Sequence, residues 1–378
     1  MAGDRDPTAC DHCLRRAALL ARLAPRIERA AAGATGGRSG ELLALSDADL
    51  ADAVDGDASD LERPDPSNST CRHRDLYPAV LGHLDRSAPH ALWSRGDSSL
   101  LARLEHEPAV TIVGSRRASA YGREVAHELG LLLAGAGVVV VSGLAHGIDA
   151  AAHRGALDAG GATIAVLGCG ADVAYPAGQR RLYERIAAEG LVVSELPPGS
   201  TPWRWTFPAR NRIMAALGGL TVVVEAARRS GSLITVRIAQ SLGREVGAVP
   251  GPVNSRFARG SNALLADGAF PVLGAESVLD ELFGPGARPA APRPSPLDPA
   301  LAAILERVEA GEGSPDEIAR STGLEAGALA AGLARLELLG RVRADPAGRY
   351  LATGAGGRMD VTATLAACHP TPPSGPPS

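Results

Sequence analysis

The middle of the chain alternates short apolar runs with glycine-containing turns and amphipathic stretches. Six runs rich in β-branched residues have the length and composition of strands. They lie at residues 109–113, 138–141, 163–167, 191–193, 221–224 and 245–249. Strands that alternate with helices of roughly 10 to 15 residues are typical of βαβ units. The pattern therefore predicts the α/β fold class, with a parallel sheet in a domain over residues 76–283.

The segment before this sheet has helical rather than strand periodicity. Its leucines, Leu14, Leu19, Leu20 and Leu23, recur at intervals that fit one helix face, and residues 41–54 continue the pattern. A small helical domain is therefore predicted over residues 1–75.

The chain beyond the sheet begins with a Pro- and Ala-rich stretch, residues 284–297, which has the composition of a semi-rigid linker. Helices are predicted over residues 301–308, from a capping box at Ser314, and over residues 325–339. Short strands at 341–344 and 349–351 would complete a winged helix over residues 298–352. Its 6 Arg and 9 acidic residues favour a regulatory or protein-contact role over duplex binding. Residues 353–378 are predicted to be a disordered tail.

The composition of the chain excludes some kinds of chemistry and favours others. The net charge is -4 and all 38 basic residues are Arg, so Schiff-base chemistry and a P-loop lysine are excluded. Residues 109–272 hold 16 Arg against 11 acidic residues, a balance of +5 between two acidic flanks, as expected of an anion-binding domain. No apolar run suits a membrane span and no signal-peptide pattern occurs, which predicts a cytoplasmic protein with no membrane partner.

Glycines, hydroxyls and arginines follow three of the predicted strands, at the sheet edge where open α/β sheets bind ligands. Glycine permits tight turns, and Arg pairs with phosphate oxygens. The candidates are Gly114, Ser115, Arg116 and Arg117 after the first strand, Ser142, Gly143 and Gly147 after the second, and Arg229, Ser230, Gly231 and Ser232 after the fifth.

Residues 207–212 combine an aromatic ring with two guanidinium groups. Phe207 offers a stacking face to an unpaired base, and Arg210 and Arg212 have the geometry to pair with phosphates. Asn211 adds a hydrogen-bonding amide. Together they indicate a site for a single nucleic-acid strand, and the alternative is a helix start with surface arginines.

An enzymatic interpretation rests on His146, Asp149 and His153. The histidines are seven residues apart with Asp149 between them, a spacing that would suit an acid–base or metal site. In the other interpretation, Asp149 forms hydrogen bonds with the turn and His153 packs beneath that turn. A dehydrogenase is disfavoured because no Gly-x-Gly-x-x-Gly follows the first strand. The alternative function is a nucleotide phosphoribohydrolase of related fold, although its Pro-Gly-Gly-x-Gly-Thr signature is absent.

Several motifs occur together in a fixed order. They are Val113-Gly114-Ser115-Arg116, Val141-Ser142-Gly143-Leu144-Ala145 with Gly147-Ile148-Asp149, Phe207-Pro208 with Arg210-Asn211-Arg212, Ser230-Gly231-Ser232, and Val249-Pro250-Gly251. This combination resembles the DprA/Smf family of DNA-processing proteins over about residues 109–283.

The resemblance implies an extended Rossmann-like domain that binds single-stranded DNA, forms a homodimer and loads the RecA recombinase during natural transformation, without catalytic residues. It implies that Arg116 and residues 207–212 hold the DNA backbone and a stacked base, and that Ser142, Gly143, Gly147 and residues 230–232 line the pocket. The family commonly has Lys where this chain has Arg229. Because Arg keeps the charge, binding is expected to survive.

Four residues near the amino terminus have side chains that suit a metal. Cys10-x-x-Cys13 and Cys71-x-His73 offer thiolate and imidazole ligands of the kind that tetrahedral zinc prefers. The alternative is a set of reduced thiols without a metal. A structural zinc ion is the one cofactor for which the sequence has candidate ligands.

Overall fold

The computed structural model describes residues 8–31, 42–54, 61–287, 299–338, 341–345 and 348–352. These residues form two compact units, which divide between Pro292 and Arg293.

The first unit is built on a nine-stranded sheet. Its strands are β1 Ser69–Cys71, β2 Ala91–Gly96, β3 Ala109–Val113, β4 Val139–Ser142, β5 Thr163–Val166, β6 Leu191–Ser194, β7 Leu220–Val223, β8 Glu245–Ala248 and β9 Phe270–Pro271. Their order across the sheet is β1-β2-β6-β5-β4-β3-β7-β8-β9. The strands from β6 to β9 in this order run parallel, with Ala109 of β3 opposite Val139 of β4. Strands β1 and β2 add antiparallel pairs at one edge.

Helices cover both faces of this sheet. In chain order they are α1 Asp11–Ala31, α2 Asp47–Asp52, α3 Ser99–Arg103, α4 Ala120–Gly135, α5 Ile148–Asp158, α6 Arg180–Glu189, α7 Thr206–Leu217, α8 Ser232–Ser241, α9 Arg259–Ala266 and α10 Ala275–Phe283, with 3-10 turns at Ala79–Ser87 and Ala177–Gln179. Val139 and Val141 belong to one apolar cluster with α7, whereas Val138 and Val140 belong to another with α4 and α5. Burial on both faces explains why these strands are continuous apolar runs.

The amino-terminal helices pack against α7. Leu19, Leu23 and Ile27 of α1 form a buried cluster with Trp205 and Ala209. A capping box at Ser46 begins α2. The domain predicted over residues 1–75 also contains β1, a strand of the large sheet, which the periodicity did not reveal because three residues are too short to show alternation.

The second unit is a small three-helix module with a two-stranded sheet. Its elements are α11 Pro299–Glu309, α12 Pro315–Thr322, α13 Ala326–Leu338, β10 Val342–Ala344 and β11 Tyr350–Ala352. The predicted capping box is present at Ser314, with Pro315 in the first turn. Ile304, Ile318 and Leu333 belong to its buried core. The predicted winged helix is confirmed.

The predicted fold class is confirmed as a Rossmann-like, mostly parallel α/β sheet. All six predicted strands occur, with ends within one residue of the expected positions. Most of the predicted linker, residues 284–297, and the tail over residues 353–378 lie outside the described residues. No helix within the described ranges has the length and apolar character needed to cross a bilayer.

Candidate nucleic-acid interface

The carboxyl ends of the parallel strands meet at one edge of the sheet. The chain winds outward from β3 through β4, β5 and β6, and then places β7 on the other side of β3. Such a reversal opens a crevice at the strand ends, where open α/β sheets bind ligands. The loops that contain Gly114, Gly143, Gly168 and Glu225 follow β3, β4, β5 and β7 at this edge.

A narrow cleft lies at the ends of β4 and β5, beside the start of α7. It encloses about 80 Å³, and its lining includes Arg116, His146, Tyr175, Phe207 and Arg210. The Arg116 guanidinium carbon lies 5.1 Å from the centre of the Phe207 ring. The Tyr175 and Phe207 ring centres are 5.5 Å apart, with the planes tilted by 33°. Arg116 and Tyr175 are exposed, so an aromatic platform and a cation face solvent together.

Arg210 forms the floor of this cleft. Its side chain is buried, with Nη1 donating to the Val166 carbonyl at 2.5 Å and Nη2 lying 3.9 Å from Asp149 Oδ2. Burial lowers the pKa of Arg210 to about 10, a shift that Asp149 opposes, so the guanidinium stays charged at neutral pH. Its Nε has no hydrogen-bond partner among the described residues.

Two glycines in the loop between β4 and α5 are required by close approaches of neighbouring groups. A Cβ on Gly143 would lie 1.7 Å from Arg210 Nη1, so any larger residue would displace the guanidinium. Gly147 begins α5 with a φ of +81°, and a Cβ there would lie 2.2 Å from the Ser115 carbonyl oxygen. Gly143 therefore leaves room for the Arg210 guanidinium at the cleft, and Gly147 allows the loops after β3 and β4 to pass close to each other.

Asp149 and His153 are buried beneath the cleft. Burial raises the pKa of Asp149, whereas Arg210 and the backbone amides of Ala145 and Gly143 favour its ionised form. His153 Nδ1 lies 2.8 Å from Thr163 Oγ1, and burial lowers the pKa of His153 to about 3. His146 is exposed and its Nδ1 lies 3.2 Å from Gln179 Nε2. These contacts favour the interpretation in which Asp149 bonds the turn and His153 packs below it.

Arg212 is buried away from the cleft. Nε donates to the Ser87 carbonyl at 2.7 Å, Nη1 donates to the Ala209 carbonyl at 2.9 Å, and Nη2 lies 2.5 Å from Glu195 Oε2. The contact with Glu195 is ionic rather than a well-aligned hydrogen bond, because Oε2 has no hydrogen-bond partner in the described part of the chain. The guanidinium thus ties α7 to neighbouring segments, and its predicted contact with a phosphate stays a prediction.

Other predicted residues hold the loops in place. Ser142 Oγ donates to the Ile112 carbonyl at 2.6 Å between neighbouring strands, and the Ser115 amide donates to the Glu225 carbonyl at 2.7 Å. Asn211 Nδ2 donates to the Gly231 carbonyl at 3.3 Å and so joins α7 to the turn before α8. In that turn, the Ser230 and Ser232 hydroxyl oxygens are 2.7 Å apart. Arg117 and Arg229 are exposed and available to an external anion.

Glu225 is a residue at the strand ends that the sequence analysis missed. Its carboxylate accepts from the Ser119 amide at 2.9 Å and from the Ser119 hydroxyl at 2.6 Å, at the start of α4. A helix amino terminus at such a crevice commonly binds a phosphate. Here a carboxylate of the protein already takes that position, so the amide and hydroxyl of Ser119 are not available to an external phosphate.

Tyr175 was also missed, although a signal was present. It follows the predicted third strand and its Gly168-Cys169-Gly170 turn, and aromatic residues are only 3% of the chain. An aromatic residue that follows a predicted strand indicates a stacking face in the same way as Phe207. Its pairing with Phe207 depends on the packing of distant segments, which periodicity does not report.

The fold and the cleft define an α/β protein of the Rossmann-like class, with an aromatic and cationic site at its strand ends. The family model "DNA recombination-mediator protein A" matches residues 68–283, and the model "DprA winged helix domain" matches residues 288–348. The chain therefore belongs to the DprA/Smf family of DNA recombination mediators.

Relatives and solved structures agree with this membership. Protein Smf of Synechocystis is 37% identical over 322 residues, which are 74% of this chain and 81% of that protein. The X-ray structure of DNA processing protein A from Streptococcus pneumoniae aligns with a TM-score of 0.55 and 33% identity, over 71% of this chain and 96% of that one. A Helicobacter pylori DNA processing protein A, whose structure concerns its single-stranded DNA binding mode, aligns with a TM-score of 0.50 and 31% identity, over 54% and 92% of the two chains.

Proposed function

We propose that this protein binds single-stranded DNA without sequence preference and loads a RecA-type recombinase on the bound strand during natural transformation. The observation that carries the DNA-binding part is the Phe207 ring, which contacts both Tyr175 and the exposed Arg116. An aromatic face stacks on any base, and a cation beside it neutralises the backbone without reading sequence. The binding mode described for the Helicobacter pylori relative supports the same ligand.

The predicted site residues divide into two groups by exposure. Arg116, Arg117 and Arg229 are exposed at loops that follow β3 and β7, so they are the proposed phosphate contacts. Buried Arg210 and Arg212 are proposed to position the loops and α7, because their guanidinium groups face protein carbonyl and carboxylate oxygens. Gly143 is proposed to leave room for the Arg210 guanidinium, and Gly147 for the close approach of the loop that contains Ser115 and Arg116.

A non-enzymatic role is part of the proposal. A hydrolase would need a group poised for proton transfer near neutral pH, whereas the pKa of His153 is lowered to about 3 and its ring is buried. Asp149 is also buried, with Arg210 and backbone amides around it. Neither environment presents a base to an incoming nucleotide.

One preparation of the full chain tests DNA binding against the hydrolase alternative. Fluorescence anisotropy is measured with single-stranded and duplex oligonucleotides across a salt series, and nucleoside monophosphate turnover is measured in parallel for the wild type and for Asp149→Asn. Preferential single-strand binding without turnover supports the proposal. Turnover that Asp149→Asn abolishes, together with negligible oligonucleotide binding, would refute it.

The recombinase and dimer parts need assays of their own. Two clefts in a homodimer would hold one strand through effective concentration, so sedimentation at micromolar concentration is expected to give a dimer. RecA ATPase activity on an oligonucleotide coated with single-strand binding protein is expected to start sooner when the full chain is added. Phe207→Ala should remove that acceleration, and an equal acceleration by this variant would contradict loading through the cleft.

A further inference from the structure

Four potential ligand atoms meet where α1 begins beside the edge strand β1. They belong to Cys10, Cys13, Cys71 and His73, and all lie within 4.8 Å of one another. Cys13 and Cys71 are buried, Cys10 is half-buried and His73 is exposed. The cysteines come from two segments about 60 residues apart, so the fold and not the local spacing brings them together.

The separations fit a tetrahedral ion. With zinc–sulfur bonds of about 2.3 Å and zinc–nitrogen bonds of about 2.0 Å, a tetrahedron places two sulfurs about 3.8 Å apart and a sulfur and a nitrogen about 3.5 Å apart. The Cys71 and Cys10 sulfurs are 3.7 Å apart. His73 Nδ1 lies 3.3 Å from the Cys10 sulfur and 3.5 Å from the Cys13 sulfur. A disulfide would need about 2.05 Å between sulfurs, and all four cysteines in the described residues are free.

The donor set identifies the metal class and its role. Three thiolates and one imidazole form a soft, tetrahedral set that suits zinc. Four protein ligands leave no position open for a water or a substrate, which is typical of a structural rather than a catalytic ion. We propose that Cys10, Cys13, Cys71 and His73 hold one structural zinc ion.

The ion would fix α1 on the edge of the sheet and thereby support the cleft. Cys10 and Cys13 lie at the start of α1, whereas Cys71 ends β1. Further along α1, the Ala24 carbonyl accepts from Trp205 Nε1 at 3.2 Å, and the cluster that contains Leu23 also contains Trp205 and Ala209. Trp205 and Ala209 flank Phe207 in the sequence. Loss of the ion is therefore expected to lower the melting temperature and, indirectly, to weaken DNA binding.

Elemental analysis of the full chain, purified under reduction and without chelator, tests the site. The wild type should contain about one zinc per chain, and Cys71→Ser and His73→Ala should each lose most of it. Cys169→Ser and His106→Ala are the matched controls, since both lie in the described part of the chain and neither belongs to the cluster, and both should keep the wild-type zinc content. Zinc retained in both ligand variants would overturn the assignment.

A measurement on the unmodified protein keeps the test decisive if the variants fail to fold. Chain depleted of metal and reloaded with Co(II) should give the strong visible absorption of tetrahedral, thiolate-bound cobalt. X-ray absorption of the zinc form should show sulfur neighbours at about 2.3 Å and a nitrogen neighbour at about 2.0 Å. A reduced chain that contains well under one zinc and takes up no Co(II) would overturn the proposal.

Discussion

Replacing Arg116 and Phe207 separately should distinguish charge neutralisation from base stacking at the cleft. The two groups are in contact at 5.1 Å, yet they are expected to contribute to DNA binding in different ways. An exposed Arg that neutralises a phosphate releases counterions, so its contribution depends on salt. Stacking of a base on a ring releases no counterions, so its contribution to binding does not depend on salt.

The magnitudes follow from these mechanisms. Loss of one phosphate contact lowers the slope of log affinity against log salt by about 0.7 for a single strand. For Arg116→Ala, a fourfold rise in salt should therefore narrow the affinity gap to the wild type by about 2.6-fold. Phe207→Ala should cost about 1 to 3 kcal/mol, which is about 5- to 150-fold in affinity, at every salt concentration.

The double variant measures the contact between the two groups. Phe207→Ala also removes the ring beneath Arg116. The losses of binding free energy in the two single variants should therefore sum to more than the loss in the double variant, by about 0.5 to 1 kcal/mol. Binding is measured by anisotropy on oligonucleotides of several base compositions, from low to moderate salt. The relative effects should be the same for every composition.

Arg103→Ala is the control for a general loss of charge. Arg103 is exposed, forms an ion pair with Glu107 four residues later, and lies in α3 before the amino end of β3, away from the carboxyl ends of the parallel strands. It should leave both affinity and slope nearly unchanged. The reasoning is refuted if Arg116→Ala leaves the slope unaltered or if Phe207→Ala lowers it as much as an arginine replacement.

Three further predictions concern stability and the second unit. Arg212→Ala should lower the free energy of unfolding by about 3 to 5 kcal/mol in urea titrations, since it leaves Glu195 buried without its partner. Arg212→Met combined with Glu195→Leu should recover much of that loss. An unchanged urea midpoint for Arg212→Ala would contradict the structural role of Arg212. The pKa of His153 is about 3 in the folded chain and about 6.5 in the unfolded chain. Below pH 6.5 the unfolded chain therefore binds a proton that the folded chain does not, and the free energy of unfolding falls by about 1.4 kcal/mol per pH unit. In urea titrations from pH 7 to pH 4, the free energy of unfolding should therefore decline less for His153→Gln than for the wild type. Equal declines in the two proteins would contradict the lowered pKa of His153. Deleting residues 297–378 should leave single-strand affinity within a few-fold, because the predicted winged helix has more acidic than basic residues, whereas a hundredfold loss would place the DNA site elsewhere.

Much of the fold was predictable because its periodicity is strong. The run that became β4 is apolar at every position, and the fold buries both of its faces. Ser314 and Glu317 predicted the start of α12 from a local capping pattern alone. Strands β1 and β9 have three and two residues, and their pairing is determined by distant partners, so no local pattern could reveal them.

The candidate site was predictable in composition but not in orientation. Arg210 and Arg212 are two residues apart on α7, and the sequence analysis gave them one role. A two-residue step turns a helix by about 200°, so the two side chains leave it on nearly opposite sides. One reaches the floor of the cleft and the other reaches Glu195. Which side faces the strand ends is decided by packing against the sheet, and the motif does not contain that information.

Glu225 occupies the position at which many Rossmann-like folds bind the phosphates of a nucleotide cofactor. A dinucleotide places its pyrophosphate at the helix that follows the first strand of the crevice, where amide groups and the helix dipole attract negative charge. In this chain that helix is α4, and the Glu225 carboxylate bonds both the amide and the hydroxyl of Ser119 at its start. A second anion there would meet a like charge and lose those donors. The exposed groups that remain at the strand ends are Arg116, Arg117, Arg229 and Tyr175, and the Tyr175 ring contacts the half-buried ring of Phe207. In the proposed function, these groups would offer stacking and positive charge to a nucleic-acid strand that passes over them.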